Sequence, residues 1–143
     1  MVGPEGYDPF WDDVFHRGRA HYFDRQTNPI SFRRWVELHG GLGPEELKVV
    51  KQETVGDLLF VSTVFLGIDM SWFGPPMIFE TMVFAAPLDD EPRLMDVEDL
   101  EQTRYSTEAE AEAGHREMVR RAKEWLAANA VTEETLRRLL EAE

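Results

Sequence analysis

Four histidines, His16, His21, His39 and His115, are the residues of this chain best suited to hold a metal or move a proton near neutral pH. No pair of them has the spacing of a helical zinc motif such as H-E-x-x-H. His16 and His21 stand five residues apart across Gly18, and His39 falls at the end of an expected helix, where a cation suits the dipole. His115 sits on the apolar seam of another expected helix. All four therefore read as core or cap histidines. Nucleophile motifs are missing as well: there is no G-x-S-x-G, no S-x-x-K and no cysteine. Gly40, Gly41 and Gly43 lack the Lys-Ser/Thr that would follow in a phosphate-binding loop.

Among the carboxylates, Glu80 has the most unusual setting. It lies in the middle of MIFETMVFAA, with Ile78, Met82 and Phe84 on its own strand face. A buried carboxylate must be paired or protonated. Glu80 thus reads as a general acid, or as half of a structural pair with an arginine such as Arg33 or Arg34. One carboxylate with no second group in known register does not make an acid–base mechanism. Asp69, Glu80 and a histidine could in principle share a metal, but their spacing matches no metal motif, and no metal or cofactor is expected.

Recognition chemistry has two candidate surfaces. The segment SWFGPP, residues 71–76, puts Trp72 and Phe73 beside a Gly-Pro-Pro turn, between two strongly apolar stretches. These rings either fold back over the core or grip a partner, as aromatics do at interface centres. Pro75 and its neighbour stiffen the loop and lower the entropy lost on contact. The tail offers the second surface through Trp125, Leu136 and Leu140 on amphipathic segments, which either pack on the protein's own sheet or meet a partner groove.

The elements that must position these residues follow from periodicity and punctuation. Residues 1–12 begin irregularly, and Asp8-Pro9 can open a short helix bearing Phe10, Trp11, Val14 and Phe15. HYFDRQTNPIS reads as a strand and a turn at Asn28-Pro29. Ser31 then caps a helix whose Phe32, Trp35, Val36 and His39 recur at helical spacing until Gly40-Gly41. ELKVVKQETV and LLFVSTVFLGI are strands separated by a Gly56-Asp57 turn. The second is apolar on both faces, with Leu59, Val61, Thr63 and Phe65 on one and Leu58, Phe60, Ser62 and Val64 on the other, so it should be covered on both sides. MIFETMVFAA repeats the pattern, which gives an antiparallel sheet of three or four strands. Residues 89–104 form an acidic connector. Thr107 and Glu110 fit a capping box ahead of an apolar seam of Ala111, His115, Met118, Ala122 and Trp125. Asn129 interrupts, and Thr132 caps a last short helix carrying Leu136, Leu139 and Leu140. The expectation is an α+β fold: a small antiparallel sheet with helices packed against it, including a C-terminal helical segment, in one domain spanning 1–143.

Composition bounds the function. At 143 residues with 43% apolar content the chain can bury a core without staples. Residues 1–13 show no signal peptide, and no apolar run approaches the roughly 20 residues needed to span a bilayer, so a soluble intracellular protein is expected. The net charge of −13 opposes direct binding to nucleic acid or to anionic membranes and favours a partner with a basic surface. Twelve arginines against three lysines, with five Asn plus Gln, suit a hot environment or a GC-rich genome.

YFDRQTNPIS…W, VSTVFLGID, PPMIFETMVFAAPLD and RYSTEAEAEAGH, spread over residues 21–117, together resemble a family of small phage-encoded proteins also found in actinobacterial genomes. Phe65 stands where that family often has Trp, and Met70 where His is common, so a family histidine function at that place does not transfer. Size, acidity and composition are also similar to those of phage regulators that bind RNA polymerase in Thermus bacteria. That resemblance implies a non-enzymatic regulator in the host cytoplasm. Its partners would be the flap region of the polymerase β subunit and the adjoining σ factor, with reduced use of host promoters that carry a −35 element and, further, reduced termination. The residues leave two alternatives open: an enzyme or small-ligand binder built on Glu80 and the sheet face, and a structural or assembly protein of the virion.

Overall fold

The structure is a computed structural model, and it describes residues 21–39, 47–71, 73–85 and 93–141. The expected helix near residue 9, the Gly40-Gly41 stop, His16 and Trp72 lie outside the described residues. In chain order the elements are α1 (Phe32–His39), β1 (Val49–Val55), β2 (Leu59–Phe65), β3 (Phe79–Ala85), β4 (Arg93–Leu94), a 3-10 turn (Glu98–Leu100), β5 (Thr103–Tyr105), α2 (Glu108–Ala128) and α3 (Glu133–Glu141). The fold is α+β.

β1, β2 and β3 form an antiparallel meander. The far edge of β3 is shared end to end by two short strands: β4 pairs Leu94 with Phe84, and β5 pairs Arg104 with Glu80. The sheet therefore has five strands. The segment expected to be an acidic connector supplies β4, the 3-10 turn and the first residues of β5. Its anchors are Met95 and Leu100, both buried, and the Met95 amide donates to the Val83 carbonyl at 2.8 Å.

Helix boundaries follow their caps. The Ser31 hydroxyl accepts from the Arg34 amide at 3.1 Å. Thr107 accepts from the Glu110 amide at 3.1 Å, while its own hydroxyl donates to the Glu110 carboxylate at 2.9 Å. Thr132 accepts from the Thr135 amide at 3.2 Å, and the Thr135 hydroxyl accepts from the Thr132 amide at 2.8 Å. Each cap satisfies donors that a helix N-terminus leaves orphaned.

α2 lies across β1, β2, β3 and β5, and the core between them is layered. One apolar cluster gathers Val55, Leu59, Val61, Val83, Ala85, Met95, Leu100, Met118, Ala122, Trp125 and, from α3, Leu136. A second gathers Phe23, Phe65, Ile78, Phe79 and Ala111, with Val50 and Tyr105 packed against it. Going along β2, β3 and α2 from the first cluster to the second, every element passes through one polar residue: Thr63, Thr81 and His115, all fully buried. The opposite side of the sheet is less sealed. Phe60, Val64, Met82 and Phe84 are half-buried there, while Ser62 and Glu80 are buried.

Two glycines are required by close approach. Gly67 has φ +68°, and a Cβ there would press on Trp35 and the Phe65 ring at 2.7–2.8 Å. Gly114 lets the Tyr105 ring lie directly on α2; a Cβ would fall inside the ring's own space.

Candidate functional site: an aromatic on a tethered loop

The chain between β2 and β3 leaves and re-enters the sheet through a closed neck. Leu66 and Gly67 both donate to the Ile78 carbonyl, at 2.7 and 3.2 Å, and Ile78 in turn donates to Tyr105. Inside the neck, Asp69 organises the loop. It is buried, and its Oδ1 accepts from the Ser71 amide at 3.0 Å, the Ser71 hydroxyl at 2.5 Å and the Met77 amide at 3.2 Å. One carboxylate thus ties the start of the loop to its end. An aspartate can do this because a charged acceptor holds several donors and forms stronger bonds than a neutral one.

The tethered loop presents two large apolar side chains outward among its described residues. Phe73 is 88% exposed and Met70 60% exposed. Gly74 follows at φ +78°, and Pro75 is also exposed. Isolated exposed apolar residues are ordinary on protein surfaces. Two of them on a loop fixed by a buried carboxylate are a different matter, because little ordering entropy remains to be lost when they meet a partner.

A ring cluster buttresses the neck. Tyr22 bridges to Ile68, and its ring lies 5.3 Å from Phe32 and 5.4 Å from Trp35. Trp35 donates its indole N–H to the Leu66 carbonyl at 2.8 Å. Phe32 remains 53% exposed. Of the six residues expected at a partner surface, Phe73 and Pro75 are therefore at the surface, and Trp72 lies outside the described residues. The tail trio is placed differently. Trp125 and Leu136 are buried in the first core cluster, and Leu140 is half-buried against it, so the C-terminal segment packs on the protein's own core instead of offering these side chains to a partner.

Glu80 is buried and takes a hydrogen bond from Arg104 Nε at 2.9 Å and another from Gln102 Nε2 at 3.3 Å. The structural pair is the arrangement found, but its arginine is Arg104, directly opposite on β5, and neither Arg33 nor Arg34. Those two lie on α1, where Arg34 pairs with Glu37 at 3.1 Å. Asp69 and Glu80 do not join a histidine: among the described residues no group of three His, Asp or Glu side chains is placed to hold a metal ion.

The histidines are also located. His21 is buried and meets Tyr22 edge-on at 4.8 Å. His39 closes α1. His115 belongs to a chain of hydrogen bonds that periodicity did not disclose. Its Nε2 lies 2.8 Å from Glu53 Oε1, its Nδ1 lies 2.7 Å from Thr63 Oγ1, and Thr63 Oγ1 lies 2.6 Å from Thr81 Oγ1. Four elements, β1, β2, β3 and α2, each give one residue. In a neutral imidazole the proton sits on Nε2 and is accepted by Glu53, while Nδ1 accepts from Thr63. Carboxylate, imidazole and hydroxyl stand in the order of a hydrolase relay. Thr63 is completely buried, however, so its hydroxyl faces α2 and Thr81, away from any substrate. The relay works as a polar staple between helix and sheet. The signal in the sequence was three polar residues at one level of otherwise apolar seams.

No helix among the described residues is long and apolar enough to cross a membrane. The chain matches no protein-family model, no curated protein and no solved structure.

Proposed function

We propose that this protein is a non-enzymatic regulator that acts by docking on a larger assembly, with the loop 69–77 as its anchor. The observation that carries the reading is Phe73, a large aromatic almost fully in water on a loop braced by the Asp69 carboxylate. Aromatic side chains in such positions supply much of the binding energy of protein interfaces. The net charge of −13 adds long-range attraction toward a basic partner. The sequence resemblance makes host RNA polymerase that partner, through the β-subunit flap and the σ factor, with the phage regulator acting in the host cytoplasm. Glu80 is engaged through Oε2 by Arg104 and Gln102, the arrangement of a structural pair.

Affinity purification of the tagged full chain from Thermus lysate, followed by mass spectrometry, tests the partner. The expected result is co-recovery of the polymerase β and σ subunits at levels that fall with Phe73→Ala. Recovery of no polymerase subunit would remove the partner assignment.

A further inference from the structure

A concavity of about 800 Å³ opens between α1 and the Asp24–Asn28 turn, well within the size range of small-ligand sites. Its apolar lining includes the half-buried Leu38 and the exposed Leu47 as well as the buried Ile30 and Phe65, and three arginines, Arg25, Arg33 and Arg34, line it too. In a chain of net charge −13 this local gathering of guanidinium groups is unusual. Two of them are already committed. Arg25 pairs with Glu108 and donates to the carbonyls of Leu47 at 3.2 Å and Val49 at 3.1 Å. Arg34 pairs with Glu37.

The carboxylates at this concavity are committed too. Glu37 is held by Arg34. Asp24 accepts from the amides of Gln26 and Asn28, both at 2.9 Å, and from the Asn28 side chain at 3.2 Å. Arg33 is left with no ion pair or hydrogen bond among the described residues, beside an apolar wall. A guanidinium presents a planar fork of donors that matches carboxylate and phosphate oxygens.

We propose that this concavity binds a small ligand carrying a phosphate or carboxylate group on an apolar body. Arg33 engages the anionic group, and the accessible side chains of Leu38 and Leu47 take the body. The site is separate from the loop 69–77, so it stands or falls independently of the docking reading.

The test is NMR titration of the isotopically labelled full chain with phenyl phosphate, benzoate and inorganic phosphate. Phenyl phosphate or benzoate is expected to shift the amides of residues 30–38 saturably in the low-millimolar range, the tighter of the two identifying the preferred oxyanion. Inorganic phosphate, lacking the apolar body, is expected to bind about tenfold more weakly. Arg33→Gln should weaken the better probe about tenfold with an unchanged melting temperature, and Arg33→Lys should restore only part of the loss. Absence of saturable shifts with both aromatic probes would overturn the proposal. So would inorganic phosphate binding as tightly as the aromatic probe, or R33Q binding like wild type.

Discussion

Thr63, Thr81 and His115 are polar residues where apolar ones would pack, and they persist because each satisfies another. A buried hydrogen bond contributes about 1 kcal/mol net, while a buried polar group left without its partner costs about 1–3 kcal/mol. Thr63→Val keeps the shape of the side chain but strands His115 Nδ1 and Thr81 together. It should therefore destabilise the fold by about 1–3 kcal/mol in urea unfolding. Replacing the whole rung, as T63V/T81V/H115M, should recover much of that loss, because no orphan remains in the core and Glu53 is partly in water. A triple variant markedly weaker than T63V would show that the rung is more than a satisfied network. Glu80 makes the same point about legibility. Burial in an apolar strand announces that a carboxylate needs a partner. Which arginine supplies it depends on the register of a three-residue strand, and three residues carry too little periodicity to set a register from sequence.

Among the elements, those with strong local signals were readable. The caps at Ser31, Thr107 and Thr132, the seam of α2 and the three long strands all follow from residues close in sequence. β4 and β5 were not readable, since their polar residues alternate no more clearly than a solvated connector does. They are strands because β3 offers an unpaired edge, which is a tertiary fact. The meeting of Tyr105 with α2 is another. Ala at position 114 would improve helix propensity by about 1 kcal/mol, yet its Cβ would intrude on the Tyr105 ring, and overpacking costs about 1–3 kcal/mol. Gly114→Ala should thus lower the melting temperature, and a rise would contradict the packing described. Farther along α2, hydrogen bonds from Arg120 and then Arg121 hold the Glu117 carboxyl down from its ordinary 4.5 to about 2. Because the folded-state value is depressed, this contribution is complete above the ordinary value and is lost as pH falls through about 2. Thermal unfolding of Glu117→Gln beside wild type should show a gap near neutral pH that closes toward pH 2. A gap that persists unchanged there would rule out the ion pair as its cause.

On the scale of the molecule, an acidic protein holds a closed polar rung inside and an apolar ring outside, on one braced loop. The C-terminal helices carry their charges mostly in pairs three or four residues apart, such as Glu117–Arg120 and Glu134–Arg138. Such exposed pairs contribute little to stability, because water and salt screen them. Trp125 and Leu136 serve the core, and in the proposed docking mode the apolar contact is made by Phe73 on the loop. The most direct measurement is the equilibrium affinity of wild type and Phe73→Ala for purified Thermus RNA polymerase holoenzyme, with melting temperatures recorded in parallel. The account predicts specific binding by wild type, a loss on substitution of about 2 kcal/mol, or roughly 30-fold in Kd, and a stability change within about 0.5 kcal/mol. Equal affinity of the two proteins, or a large fall in melting temperature on removing the ring, would contradict it.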